Sequence, residues 1–130
     1  MRKYLLALLV TISCWMYSNA QYVLIPDSLF RQALIADGYG SCFSGNMLDT
    51  TCSLVVNATS LDCMGRNIVS LEGIQYFDNL RTLDCSDNQL TSLPSLPASL
   101  TELDCSYNQL TALPNLPNSL TILNCEWNHL

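Results

Sequence analysis

The sequence predicts an α/β repeat solenoid in which short parallel strands stack side by side on a concave face. Residues 80–90, 100–110 and 120–130 read LRTLDCSDNQL, LTELDCSYNQL and LTILNCEWNHL, three copies of one pattern at a constant period of 20 residues. A fixed period in this range is typical of repeat architectures. Within one copy, Leu83 and Cys85 are two residues apart and therefore point to one face of a strand. One short strand cannot bury that face alone, so the copies are expected to stack.

The strands are expected near residues 60–63, 82–85, 102–105 and 122–125, and the segments between them are called return segments below. The first return segment, Val69–Leu80, contains no proline and is long enough for one helical turn. The next two read TSLPSLPAS and TALPNLPNS. Their prolines forbid a regular helix and favour extended polyproline backbone on the convex side.

An asparagine occupies the same position in all three copies, at Asn88, Asn108 and Asn128. Its amide can donate to backbone carbonyls of the turn, and its oxygen can accept an N–H from the next coil. These asparagines are therefore predicted to be structural, because they would satisfy backbone groups that are otherwise buried unpaired. An earlier, degenerate copy aligns Cys63 with Cys85 and places Arg66 where the asparagine should be.

The first 20 residues have the three parts of a secretory signal peptide. Arg2 and Lys3 precede an apolar stretch that is too short to span a membrane, and Ser18-Asn19-Ala20 is a small-residue cleavage site. Cleavage after Ala20 predicts a secreted or outer-surface protein. The alternative is a lipoprotein anchored through Cys14.

The mature chain is expected to contain an N-terminal cap at residues 21–56 and a repeat array at residues 57–130. Asp27 can cap a helix that runs to about Ala36, with Gly38 as its left-handed stop. The apolar face of this helix is expected to cover the first coil. The sequence stops at Leu130, the last residue of a repeat copy, which suggests that the array is truncated at its C-terminal side.

Six of the seven cysteines lie in the mature chain, and they fall into two groups. Cys42 and Cys52 flank a polar loop with little core of its own, where a disulfide would be stabilising. The others occupy the inward repeat position and are predicted to be reduced, buried core residues; they are Cys63, Cys85, Cys105 and Cys125. Their linear arrangement does not suit tetrahedral metal ligation, so no metal site is predicted.

The repeat pattern L-x-x-L-x-[LC]-x-x-N-x-L resembles that of leucine-rich repeat proteins. Residues 93–110 look like the short-repeat effectors of Gram-negative pathogens. Residues 21–130 are more similar to secreted bacterial leucine-rich repeat proteins, whose cap phrase is matched here by IPDSLFRQAL, Ile25–Leu34. The resemblance implies a non-catalytic recognition module. Some of the effectors carry a ubiquitin-ligase domain, so the alternative is the recognition part of a larger enzyme or effector with a catalytic domain beyond Leu130.

The outward strand and turn positions are acidic, with aromatic residues towards one end. The mature chain has eleven acidic side chains and three arginines, a net charge of −8, which disfavours nucleic acid and anionic membranes as partners. A protein or glycan ligand is expected on the concave face. The predicted binding residues are Asp84, Asp104, Tyr107, Glu126 and Trp127. The alternative interpretation is that these acids only solvate the sheet. No cofactor, catalytic residue or pocket is expected there, and no membrane insertion of the mature chain.

Overall fold

The computed structural model describes residues 21–130, so the predicted signal peptide at residues 1–20 lies outside the described residues. Two sheets organise this part of the chain. The first has three antiparallel strands in the order β1-β3-β2, and the second has four parallel strands in the order β4-β5-β6-β7. Their bounds are β1 Tyr22–Leu24, β2 Phe43–Ser44, β3 Met47–Asp49, β4 Ser60–Asp62, β5 Thr82–Asp84, β6 Glu102–Asp104 and β7 Ile122–Asn124.

The repeat strands lie where the sequence predicted them, and their parallel pairing confirms the α/β repeat fold. The register aligns Leu61, Leu83, Leu103 and Leu123 across the four strands. Consecutive residues of each strand alternate between the core and the opposite side, which is called the sheet face below. Leu83 is 1% exposed, whereas its neighbour Asp84 is partly exposed.

Residues 21–56, called the cap below, contain more structure than the predicted helix. Helix α1, Ser28–Ala36, is capped at its N-terminus by Asp27 and followed by Gly38 with φ of 101°, as the sequence predicted. A 3₁₀ helix at Tyr39–Cys42 and the short helix α2, Ser53–Val56, follow. The segment 41–53, which was expected to be a loop, instead contains a tight hairpin. Strands β2 and β3 meet there around Gly45, whose φ of 61° suits a two-residue turn.

The return segments follow their proline content. A 3₁₀ helix at Ile74–Tyr76 forms in the first, and the proline-rich segments contain no regular helix. Hydrogen bonds from serine hydroxyl groups, which were not predicted, connect successive coils on this side. The Ser99 hydroxyl donates to the Leu80 carbonyl at 2.7 Å, and the Ser119 hydroxyl donates to the Leu100 carbonyl at 2.6 Å.

One continuous core runs from the cap through the repeats, and the cysteine column is part of it. The thiols of Cys63, Cys85 and Cys105 are reduced and fully buried. Burial raises the pKa of Cys63 and Cys105 to about 12 and that of Cys85 well above its ordinary value. These thiols are therefore protonated and unreactive at neutral pH. Cys125 is only half-buried, because β7 pairs on one side only within residues 21–130.

The junction between cap and array depends on Asp27. One carboxylate oxygen accepts from the Leu29 and Phe30 N–H groups at 2.8 and 3.0 Å and so caps α1. The other accepts from the Val69 and Ser70 N–H groups at 2.8 and 2.9 Å, more than 40 residues along the chain. Burial alone would raise the pKa of Asp27, but these four N–H donors outweigh it and hold the pKa below its ordinary value.

Candidate binding face

The turn after each repeat strand bends through a left-handed residue, two positions beyond the inward cysteine. These residues are Gly65, Asp87, Tyr107 and Trp127, with φ of 66°, 54°, 53° and 55°. Glycine adopts this conformation freely and aspartate tolerates it, but it is unfavourable for bulky side chains. The turns stack through backbone bonds, of which Tyr107 N–H to Glu126 C=O at 3.0 Å is one. The last two repeats therefore place aromatic residues where the backbone alone favours glycine, asparagine or aspartate.

Tyr107 and Trp127, called the aromatic pair below, stack on each other beside the sheet. Their ring centroids are 5.6 Å apart and their planes differ by 13°. They are 56% and 68% exposed, so the stack covers one side of each ring and leaves the rest in solvent. The sequence placed both residues in the same repeat position, but it gave no indication of the left-handed backbone.

The carboxylates of Asp84 and Asp104 have a structural task that the sequence analysis missed. In each, one oxygen accepts from the N–H of the serine two residues later at 2.9 Å and from its hydroxyl at 2.6 Å. Asp104 also accepts from the Asn124 amide at 3.0 Å. Both aspartates are consequently half-buried rather than fully exposed.

Hydrogen bonding also sets the charge state of Asp104. Burial raises its pKa, but the bonds from Ser106 and Asn124 outweigh this and lower the pKa overall. Asp104 is therefore ionised at neutral pH. The repeated Asp-x-Ser spacing, at Asp84 and Ser86 and again at Asp104 and Ser106, was the sequence signal for this arrangement.

The repeat asparagines connect neighbouring coils, but in the opposite direction from the one predicted. The Asn108 amide donates to the carbonyls of Cys85, Cys105 and Ser106 at 3.0 to 3.1 Å. Its oxygen accepts from the Leu90 N–H at 2.9 Å, which belongs to the preceding coil and not to the next one. Asn88 and Asn128 make the corresponding bonds.

Two open cavities lie on this side of the array, although the sequence analysis expected none. One of about 530 Å³ is lined by Met64, Asp87, Asp104 and Tyr107, among others. The other, of about 250 Å³, lies over strands β5–β7. Asp104 and Asn124 line both cavities, so the two are adjacent, and together they are called the groove below. A separate cavity of about 390 Å³ in the cap contains none of the predicted binding residues.

The groove brings together only part of the predicted binding set. Asp84, Asp104 and Tyr107 line it, while Trp127 stacks behind Tyr107 and Glu126 is exposed in the last turn. The structure adds further lining residues that were not predicted as binding residues, notably Met64, Asp87 and Glu102. Their outward repeat positions were visible in the sequence.

Three further features bear on the chemistry of residues 21–130. A Cys42–Cys52 disulfide closes the cap loop, with a Cα–Cα distance of 5.6 Å. In this range, no three His, Cys, Asp or Glu side chains converge as they would around a metal ion. None of the helices that the structure describes has the length and apolar composition needed to cross a membrane.

Comparison with known proteins identifies the repeats. Residues 79–98 and 99–120 each match the family model described as Leucine Rich Repeat. The chain has no significant match among curated proteins. The matched segments span β5, β6 and the return segments that follow them, which belong to the 20-residue repeat. Together with the parallel sheet, these two matches support a leucine-rich repeat protein.

Proposed function

We propose that this chain is an exported, non-catalytic recognition module that binds another protein on its sheet face, with the aromatic pair as the anchor. Leucine-rich repeats generally mediate protein binding, and stacked repeats provide extended surfaces for it. Tyr and Trp are the residues most enriched among energetically dominant interface contacts. The groove beside Tyr107 provides a concave surface for such a contact.

The observation that carries this proposal is the backbone conformation of the aromatic pair. A bulky residue in the left-handed region costs roughly 1–2 kcal/mol compared with glycine. The same turn in the first two repeats contains Gly65 and Asp87, so the fold does not require aromatic side chains. Strained residues that are also exposed are more typical of binding sites than of stability.

The test compares binding before and after removal of the two rings. Peptide-display binders are selected against the mature chain and then measured against a Tyr107→Gly/Trp127→Gly variant. Glycine relieves the left-handed strain, so the variant is expected to fold. An Ile35→Ala/Leu54→Ala variant, which removes exposed apolar groups from the cap, is the matched control. Sheet-face binding predicts losses of at least about tenfold in the first variant only. Binders that lose affinity in the Ile35→Ala/Leu54→Ala variant instead would contradict the proposal.

Export is tested separately, by sequencing the N-terminus of the protein recovered from expressing bacteria. Cleavage by the proposed route gives a mature chain that begins at Gln21, and a Cys14→Ser variant is processed identically. Fatty-acid labelling that is lost in Cys14→Ser would instead establish the lipoprotein route.

A further inference from the structure

From residue 82 onwards, the charges of the repeats are confined to one side of the array. Residues 82–130 contain five acidic side chains and neither lysine nor arginine. All five lie in strands or in the turns that follow them; they are Asp84, Asp87, Glu102, Asp104 and Glu126. Residues 91–101 and 111–121, which form the opposite side, are uncharged. The bonds of Asp84 and Asp104 to the following turns explain the placement of two of these acids. Solubility alone would favour neither side for the other three, so their placement calls for a further reason.

Four of these carboxylates line the groove. Asp87 and Asp104 line its larger cavity, and Asp84, Glu102 and Asp104 line the smaller one. Neither cavity is lined by lysine, arginine or histidine. Within a concave surface, charges of one sign reinforce each other and raise the local concentration of the opposite charge.

Tyr107 gives this groove an aromatic wall. Trp127 stacks against one side of the ring, and Tyr107 itself lines the larger cavity together with Asp87 and Met64. The Asp87 side chain is exposed, and within residues 21–130 its carboxylate accepts no hydrogen bond. An aromatic ring beside an uncommitted carboxylate suits a planar cation, which can stack on the ring and pair with the carboxylate in a bidentate manner.

We infer that the groove binds a basic, arginine-containing segment of the partner protein, with one guanidinium group between the Tyr107 ring and the Asp87 carboxylate. This inference rests on the proposed function and specifies its ligand. Lysine fits less well, because an ammonium group cannot make both the planar stack and the bidentate pair. A neutral sugar could stack on Tyr107, but it would give no reason for the carboxylates of Asp87 and Glu102, which, within the described part of the chain, have no structural role like that of Asp84 and Asp104.

The experiment measures binding of fluorescein-labelled peptides to the mature chain at about 0.15 M salt, where long-range attraction is screened. The probes are an (Arg-Ser)₅ peptide, a (Lys-Ser)₅ peptide and a neutral cello-oligosaccharide. The groove is altered in Asp87→Asn/Glu102→Gln. The matched control, Asp37→Asn/Glu72→Gln, removes the same charge from exposed acids outside the groove. Tyr107→Asn removes the ring while keeping a residue that tolerates the left-handed backbone.

We expect the arginine peptide to bind more tightly than the lysine peptide. Its affinity should fall about five- to tenfold in Asp87→Asn/Glu102→Gln and in Tyr107→Asn, and less than about twofold in the control. Equal losses in the groove and control variants would overturn the inference, because binding would then follow net charge alone. The inference would also be overturned if the sugar bound in a Tyr107-dependent manner while the arginine peptide did not bind. A selected binder that depends on the aromatic pair but contains no basic residue would uphold the proposed function and reject only this ligand.

Discussion

The cap and the array use the same residue type in opposite ways. Cys42 and Cys52 are cross-linked in the cap, whereas Cys63, Cys85 and Cys105 are reduced and serve as small core side chains. The cap is built from elements that occur once, and its hairpin β2–β3 is only a few residues long. In the array, each coil satisfies the backbone groups of its neighbour through the same bonds. A repeated structure distributes its stability, while a small single-copy unit benefits from a covalent link.

The junction between the two regions has neither advantage, because its contacts are present once and are not cross-linked. Asp27 reaches the Val69 and Ser70 N–H groups, and Ile25 packs against Gly73. We therefore expect a disturbance of the close packing at Gly73 to have the largest effect, followed by loss of the disulfide, loss of single bonds of the array and, last, loss of the Asp27 charge.

Gly73→Ala should cause the largest loss of stability. Gly73 has φ of 113°, and an added Cβ would lie 2.1 Å from the Ile25 Cδ1 atom. The strained backbone and the displaced isoleucine together should cost about 2–5 kcal/mol of unfolding free energy. Gly38→Ala is the control, because Gly38 has φ of 101° with no heavy atom within 4 Å of the added Cβ. Urea denaturation of both variants separates the cost of the left-handed backbone, which both share, from the cost of the contact with Ile25, which only Gly73→Ala has. Equal losses would show that Ile25 yields freely and that the junction is not tightly packed.

Removal of the disulfide should be the next largest effect. In Cys42→Ser/Cys52→Ser, the open chain between residues ten positions apart should lower the free energy of unfolding by about 2–3 kcal/mol. Thermal melts with and without reductant provide the control. Reductant should lower the melting temperature of the native chain towards that of the variant and leave the variant unchanged. If the variant also responds, the reduced state of the repeat cysteines must be reconsidered.

A single asparagine of the array should matter less. Asn108→Ala removes three amide bonds and leaves the Leu90 N–H without its side-chain acceptor, at a cost of roughly 1–3 kcal/mol. The neighbouring exposed Gln109→Ala is the control and should change stability by less than about 0.5 kcal/mol. Denaturant midpoints measured under identical conditions decide between them. Similar midpoints for the two variants would indicate that water replaces the asparagine amide.

The two regions also differ in how far their structure could be predicted from the sequence. The array was predictable because Leu, Cys and Asn recur at the same positions in three copies with one constant spacing. The cap hairpin was not, since Phe43–Ser44 is too short for a periodic signal and Gly45 alone marks its turn. The second role of Asp27 had no local signal at all, because the N–H groups that donate to it lie more than 40 residues away.

The sequence predicted several residues of the binding face but not their backbone conformation or their hydrogen bonds. Repeat alignment placed Tyr107 and Trp127 in one column, and their stacking follows from the parallel register. Alignment of the repeats alone does not distinguish an outward residue that faces solvent from one that folds back on its own backbone, so the bonds from Asp84 and Asp104 to the following turn had to be read from the Asp-x-Ser spacing instead. The sequence-based prediction therefore treated Asp84 and Asp104 as fully available to a ligand and did not include Asp87 among the binding residues.

The smallest expected effect, and the most specific one, is the pH dependence of the junction. The folded pKa of Asp27 is lowered, so its stabilising contribution is complete above the unfolded value of about 3.9 and is lost as the pH falls through the folded value. Asp27→Asn keeps one acceptor oxygen for one pair of N–H groups but places an amide NH₂ against the other pair. The substitution should lower the free energy of unfolding by about 1 kcal/mol at pH 7.

Urea midpoints of the native chain and Asp27→Asn, measured from pH 7 to pH 2, should therefore differ at neutral pH and converge as the pH falls through the lowered folded pKa of Asp27. Asp104 also has a lowered pKa, but it contributes to both chains and cancels in the difference. Asp78→Asn removes the same charge from an exposed position in the first return segment and should show no such convergence. A difference that persists unchanged at pH 2 would mean that the shape of the Asp27 side chain, and not its ionised carboxylate, joins the cap to the array.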